Sequence, residues 1–382
     1  MARIAILTAE FTPFLGGIAT YASSLATAAE RLGHKVTVFA PDYGNDLAAA
    51  DVRNFVFRVE RFRAGPFSPR WYPRYAQVAL HAVLRNRSEQ VLAADIPFIE
   101  LLAATKSLHR YPYAAAIHGS EVNRSRYSTR SMLFATAGIF TSPSHIFANS
   151  CFTRERLLMN YPQVDAKRVS VAYLGVAKDW FEPGDTNRLP AGVRPDQGRH
   201  LVVSVGRLTP RKGQLTLVRA ISGLTPPERA QLTLVMVGSE MQRDRSYKEE
   251  LLRAAEKVKP ADFVVTGSLE DVEVKALYSV SDLFCLPGSS ETNAVEGFGL
   301  VFLEAAAQGL TAIAGAVGGV PEVVRDGETG VLVPPDNPKA LGIALVDLLK
   351  DRERRERFGA AARAQARSFT WERCALETFG EA

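Results

Sequence analysis

The sequence predicts an α/β protein made of two parallel-sheet halves, and three observations carry that prediction. Apolar strands alternate with helical patterns along nearly the whole chain, the signature of parallel sheets covered on both faces. Arg3–Ala9 and His200–Gly206 each read as the opening strand of such a half. Between them, Phe181 to Arg199 is rich in Pro, Gly, Asp and Asn, the composition of a linker or a surface excursion. The length of 382 residues fits two or three domains, and the break is placed at 180/181.

The first strand begins almost at once. Its apolar run looks like a signal peptide, but it is too short, and Glu10 cuts it. A loop with Gly16 and Gly17 follows, then a helix from Ile18 to about Leu32. Gly33 stops that helix, and Lys35–Ala40 is the next strand. Further strands are predicted at Asn54–Val59, Val91–Ala94, Ala114–His118, His145–Asn149 and Val169–Tyr173. In the second half they are predicted at Leu232–Val237, Phe263–Thr266, Leu283–Leu286, Thr311–Gly315 and Gly330–Val333. The tail from Arg352 reads as helices, with Thr370 near the cap of the last. Ligands of open α/β sheets bind beyond the carboxyl ends of the strands, so two sheets facing each other would enclose a central cleft.

A hydrophobic content of 47% with 23% charged residues is ordinary for a soluble globular protein. No apolar run reaches the length of a membrane span. Cys151, Cys285 and Cys374 have no metal or redox spacing, and so sparse a set fits a reducing cytosol. The net charge is +5, and it is unevenly spread. From Arg58 to Arg87 there are seven Arg and one acidic residue, Glu60, with Phe62, Phe67, Trp71, Tyr72 and Tyr75 among them. That mixture suits an anionic membrane surface, as does the loop with Arg124, Arg126 and Arg130. The alternative is a solvated basic face with its aromatics packed inward. Nucleic-acid binding is a poor reading, because acidic residues are spread evenly elsewhere and no binding motif is present.

The stretch Glu296-Gly-Phe-Gly-Leu-Val-Phe-Leu-Glu304 carries the chemistry. Phe298, Gly299 and Leu300 offer backbone N–H groups at a helix start, where the helix dipole favours a phosphate. Glu304, one to two turns further in, suits paired sugar hydroxyls. Anion donors beside hydroxyl acceptors point to a nucleotide-sugar. Gly206 and Arg207, followed by Lys212, stand at the end of the second half's first strand, where a fork and a point charge together neutralise a diphosphate. Taken alone they would read as a basic surface loop. His118 ends a first-half strand and is placed either to touch a substrate or to serve structure. Gly16 and Gly17 let backbone approach a phosphate or an acceptor hydroxyl, or form a plain turn; their spacing is not the dinucleotide fingerprint. Asn149, Ser150 and Thr153 bind acceptor or cap a helix. Gly238, Ser268 and Leu269 end further strands and are positioned for a nucleobase pocket. Neither a Walker loop, a zinc motif, a Gly-x-Ser-x-Gly elbow nor a strand-end Asp-x-Asp pair occurs, so neither cofactor nor metal is expected.

In this order, from Gly16-Gly17 through His118, Asn149-Ser150, Gly206-Arg207, Lys212, Glu296 and Glu304 to Phe369-Thr-Trp, the chain resembles the family-4 retaining glycosyltransferases of the GT-B fold. The resemblance covers nearly the whole chain and is strongest from Val203 to Val333. It implies two Rossmann-like domains, an acceptor-binding 1–180 and a donor-binding 181–367, with a final helix, 368–382, crossing back to the first. It implies that Arg207 and Lys212 contact the donor diphosphate, and that Glu304 binds the ribose. Glu296 would contact the transferred sugar, and the amides of Phe298, Gly299 and Leu300 the sugar and phosphate. His118 would lie near the reacting sugar. The expected partners are a nucleoside-diphosphate sugar (uridine or guanosine) and an acceptor, either a lipid-linked or polysaccharide-precursor glycan at the cytoplasmic membrane face or a small soluble molecule. A binding protein that no longer transfers is the third reading. Gly288 to Val295 is longer than the shortest family versions, as a sugar-facing lid or as a surface loop.

Overall fold

The computed structural model describes residues 1–14, 16–65, 68–84, 88–109, 111–122, 138–195, 198–258, 262–290 and 296–382. The chain divides into two compact units, Met1–Gly175 with Thr370–Ala382, and Val176–Phe369. Among the described residues the first unit has a seven-stranded sheet of β1 (Arg3–Leu7), β2 (Lys35–Pro41), β3 (Arg58–Phe62), β4 (Gln90–Ala93), β5 (Ala114–Ile117), β6 (His145–Ala148) and β7 (Val169–Val171). The spatial order is β3-β2-β1-β4-β5-β6-β7, and every pairing is parallel. The chain therefore reverses its direction of winding between β1 and β4. Strands covered on both faces are apolar throughout, and in β1 all but Arg3 is buried.

The helix Gly17–Arg31 buries Tyr21, Ala22, Leu25, Ala26 and Ala29, one apolar stripe at helical spacing. Its small residues allow the close approach of the last helix, Trp371–Phe379, which buries Trp371, Cys374, Ala375 and Phe379. Thr370 caps that helix by accepting from the Arg373 N–H at 3.1 Å.

One strand lies later than the sequence pattern suggests. Asn54 closes a helix, Ala48–Asn54, and the strand predicted at Asn54–Val59 is instead Arg58–Phe62. β3 is an edge strand and is only partly covered, so its hydrophobic alternation is weak. The basic stretch also turns inward. Phe62 and Tyr75 belong to the core, and Trp71 and Tyr72 pack against it. Arg61 is held inside the unit by Asp51 at 2.7 Å and by the carbonyls of Pro41 and Thr12. Arg58, Arg63, Arg70 and Arg74 are exposed. Phe67, Arg85 and Arg87 lie outside the described residues, as do Arg124, Arg126 and Arg130.

The second unit contains β8 (His200–Val205), β9 (Leu232–Val237), β10 (Asp262–Gly267), β11 (Leu283–Leu286), β12 (Ala312–Gly315) and β13 (Gly330–Val333). Their order is β10-β9-β8-β11-β12-β13, again parallel, so winding reverses between β8 and β11. The Pro- and Gly-rich segment before β8 belongs to this unit and lies on the helix Asp271–Val280. Gly184 is pressed so close there that a Cβ would sit 2.4 Å from the Lys275 carbonyl oxygen. Among the described residues no helix is long and apolar enough to cross a membrane.

Gly175 sits where the first unit gives way to the second, against the start of the last helix. A Cβ there would meet the Trp371 nitrogen at 2.3 Å. Gly175→Ala is expected to push the helix off its seat and to lower stability by about 1–3 kcal/mol. Urea unfolding followed by Trp fluorescence checks this, and an unchanged midpoint contradicts it.

Candidate active site

In the second unit the crests of β8 and β11 flank the point where winding reverses, which is where open α/β sheets bind ligands. The loop after β8 runs Gly206–Gly213 and includes the short 3-10 turn Pro210–Lys212. The loop after β11 runs from Pro287 to Gly299, and 291–295 of it, most of the long segment noted above, lie outside the described residues. Backbone bonds join the two loops. Gly288 N–H donates to Lys212 O at 3.2 Å, and Ser289 N–H to Arg211 O at 3.0 Å. Gly213 allows that closeness, with φ 72° and a would-be Cβ only 2.3 Å from the Gly288 oxygen. Gln214 steadies the first loop from below by donating to Arg207 O at 2.9 Å.

These loops bring the basic and acidic candidates together. Lys212 Nζ lies 2.6 Å from Glu296 Oε2, and Arg211 Nη1 lies 3.3 Å from the same oxygen. All three side chains are largely buried. Burial pushes the Glu296 carboxyl up, but Lys212, Arg211 and Arg207 outweigh it and hold it at about 2. Burial pushes the Lys212 ammonium below its usual value, and Glu296 restores only part of this against Arg211 and Arg207. Lys212 and Arg211 share one oxygen of Glu296, and Arg207 adds its charge from an exposed position, so the crest gathers three cations that a diphosphate would engage. Removing either member of a buried pair typically costs about 3–5 kcal/mol.

Glu296 is placed through its backbone. Its carbonyl accepts from Gly319 N–H at 3.0 Å, and a Cβ on Gly318 (φ 60°) would lie 1.9 Å from that oxygen. Phe298 is buried against Phe369 with ring centroids 5.8 Å apart. Gly299 precedes the helix Leu300–Ala307, whose N-terminus has no side-chain cap. Glu304 lies on this helix and is half-buried. Burial first, then Asp271, pushes its carboxyl up to about 8, with Lys212 partly opposing. Gly206, Gly238 and Ser268 follow β8, β9 and β10 in one row. Gly238 N–H donates to Gly267 O at 2.7 Å, Ser268 Oγ meets Ser239 Oγ at 2.9 Å, and Leu269 is half-buried beside it.

The first-unit candidates form a second group. His118 follows β5, and its Nε2 lies 2.9 Å from Ala94 O. A carbonyl oxygen only accepts, so Nε2 carries the proton. The ring stands edge-on to Tyr21 at 4.7 Å. Asn149, Ser150 and Thr153 are buried and bonded to one another, and Ser150 caps Cys151–Asn160 by accepting from Thr153 N–H at 3.0 Å. The cap is seen for Ser150, and Asn149 also donates to His118 O at 3.1 Å. Gly17 starts the first helix with open space around its α-carbon, and Gly16 precedes it in an extended conformation, so neither makes a positive-φ turn.

Sequence reasoning missed Arg211 and Asp95. Arg211 was legible as a second basic residue beside Lys212. Asp95 has no motif around it. It is buried at the winding reversal of the first sheet, caps Ile96–Ala104, and accepts from Thr8 Oγ1 at 3.1 Å and from Ala9 N–H. Burial pushes its carboxyl up to about 7, against the bonds from Ala9, Phe98 and Thr8. Among the described residues no three His, Cys, Asp or Glu side chains gather in a way that could hold a metal ion.

Glu304 makes stability depend on pH. Because its folded value is raised, its contribution is whole below about 4.5 and is lost as pH rises through about 8. Glu304→Gln, which keeps the neutral form, is therefore expected to match the wild type near pH ~5 and to gain on it steadily up to about pH 8. Thermal midpoints across that range check this, and a constant difference at every pH contradicts it.

Comparison with known proteins agrees with this geometry. The family model for Glycosyltransferase Family 4 matches residues 15–180, and that for Glycosyl transferases group 1 matches residues 185–365. The chain is 31% identical to the GDP-mannose-dependent alpha-(1-6)-phosphatidylinositol monomannoside mannosyltransferase of Mycobacterium tuberculosis, over 95% of this chain and 93% of that one. It is 29% identical to the D-inositol 3-phosphate glycosyltransferase of Actinosynnema mirum, over 100% of this chain and 98% of that one. In fold it matches the Anabaena protein HepE, solved with UDP and glucose, with a TM-score of 0.81 at 19% identity over 100% and 99% of the two chains. Two parallel-sheet units with these motifs on their crests, and full-length relatives of this kind, make the chain a member of the family-4 glycosyltransferases of the GT-B fold.

Proposed function

We propose that this glycosyltransferase moves a hexose, with retention of anomeric configuration, from a nucleoside-diphosphate sugar to a hydroxyl of an inositol-phosphate-bearing acceptor. The observation that carries the donor half is the gathering of Lys212, Arg211 and Arg207 around Glu296 at the β8/β11 crests. Arg207 and Lys212 take the diphosphate, and the N-terminus of Leu300–Ala307 adds its dipole. Glu304 receives the ribose hydroxyls, Glu296 the sugar hydroxyls, and Gly206, Gly238, Ser268 and Leu269 line the base. GDP-mannose is the first donor to test, because full-length relatives are named for it.

The first unit binds the acceptor in this reading, through His118 and the helix start at Gly16–Gly17. No covalent nucleophile is required. The bond from the anomeric carbon to the diphosphate oxygen breaks, and the acceptor oxygen adds on the same face. The leaving diphosphate oxygen takes the acceptor proton. The protein supplies position and charge, and the cations make a divalent metal unnecessary. A lipid-borne acceptor at the cytoplasmic membrane face agrees with the phosphatidylinositol relatives and with the exposed Arg58, Arg63, Arg70 and Arg74. A soluble acceptor is the second reading, favoured by the D-inositol 3-phosphate relatives.

Transfer from GDP-mannose or the corresponding uridine sugars to phosphatidylinositol mannosides and to inositol phosphate tests the proposal, with the product anomer read by NMR. Activity is expected to persist in EDTA and to fall by about a hundredfold or more in Lys212→Ala and in Glu296→Ala. An inverted product, loss of activity in EDTA, or full turnover by either variant contradicts the corresponding part. Sedimentation with anionic phosphatidylinositol vesicles at low salt separates the acceptors: no binding removes the membrane-borne one.

A further inference from the structure

We infer that Glu296 is an internal counter-ion of the donor site, one that a diphosphate must displace, and that Arg211 is a third cation of the cradle. The inference rests on the donor-site reading above. The geometry behind it is one shared atom. Glu296 Oε2 accepts from Lys212 at 2.6 Å and from Arg211 at 3.3 Å, so one carboxylate oxygen holds a donor of each cation and offsets charge that a phosphate would compete for. All three side chains are largely buried, so water does not screen the competition. Lys212 cannot hold a phosphate at full strength while Glu296 keeps that bond.

The exchange separates the intact donor from the product. A nucleotide-sugar displaces Glu296 from the cations but offers it hydroxyls to accept from, so the carboxylate finds new partners. A bare nucleoside diphosphate displaces it and offers none. Glu296 is then driven back to Lys212 and Arg211, and this return weakens product binding. The same residue that would orient the sugar therefore also promotes product release, a step that limits many enzymes.

Calorimetric titration of the full chain with GDP and with UDP, each without its sugar, tests this in the wild type, Glu296→Gln and Glu296→Asp. Gln removes the competing charge, and Asp draws it back by one methylene. Whichever nucleotide the wild type prefers is expected to bind about tenfold tighter to the Gln variant, a typical coupling between sites, and by a smaller factor to the Asp variant. A loosened or misfolded loop loses affinity, so a gain is not a sign of structural damage. Unchanged or weaker nucleotide binding in the variants, with clear binding by the wild type, overturns the counter-ion and leaves the donor site standing. Absence of binding of both nucleotides to all three proteins overturns the donor-site reading itself.

Discussion

The constraint on which the rest of the second unit depends is the burial of Lys212 against Glu296. An ammonium taken out of water has to be paired, and here the Glu296 carboxylate meets Lys212 at 2.6 Å and Arg211 at 3.3 Å. The residue positions follow from that requirement. Lys212 is carried on a tight turn at the end of β8, Glu296 on the loop after β11, and backbone bonds from Gly288 and Ser289 fix the distance between the loops. A side chain at Gly213 would force these two loops apart, and one at Gly318, after β12, would press on the Glu296 carbonyl. The Lys212–Glu296–Arg211 cluster is thus set by the backbone, and Arg207 stands exposed beside it.

The site follows from how a parallel sheet is wound. Helices cover both faces, so strand ends are the places where polar groups can be presented without breaking the core. In the second sheet the reversal between β8 and β11 spreads two crests, and both loops there carry the motifs. The first sheet has the same reversal between β1 and β4, where Asp95 ties Thr8 and Ala9 to the next helix. Each carboxylate is set by its surroundings: Glu296 is kept ionised by neighbouring cations, whereas Glu304 and Asp95 are pushed toward the neutral form by burial.

Much of this was legible in the sequence, for physical reasons. Buried parallel strands such as Leu232–Val237 are continuous apolar runs and identify themselves. The edge strand Arg58–Phe62 does not, because half its surface meets solvent. The Glu296–Glu304 motif was visible because glycines beside an acid at a helix start set backbone N–H groups next to a carboxylate. That Lys212 and Glu296 touch was not visible, since 84 residues of chain separate them. The aromatics of the basic stretch left two readings open for a similar reason. Phe62 and Tyr75 look like membrane anchors in a string of arginines, yet the fold turns them into the core and turns Arg61 onto Asp51.

A crystal structure of the protein with an intact nucleotide-sugar bears most directly on the central claim. The account predicts the diphosphate between Arg207 and Lys212 at the β8/β11 crests, and Glu296 withdrawn from Lys212 onto the sugar hydroxyls. A donor bound elsewhere, or bound there with the Lys212–Glu296 contact still closed, would contradict it.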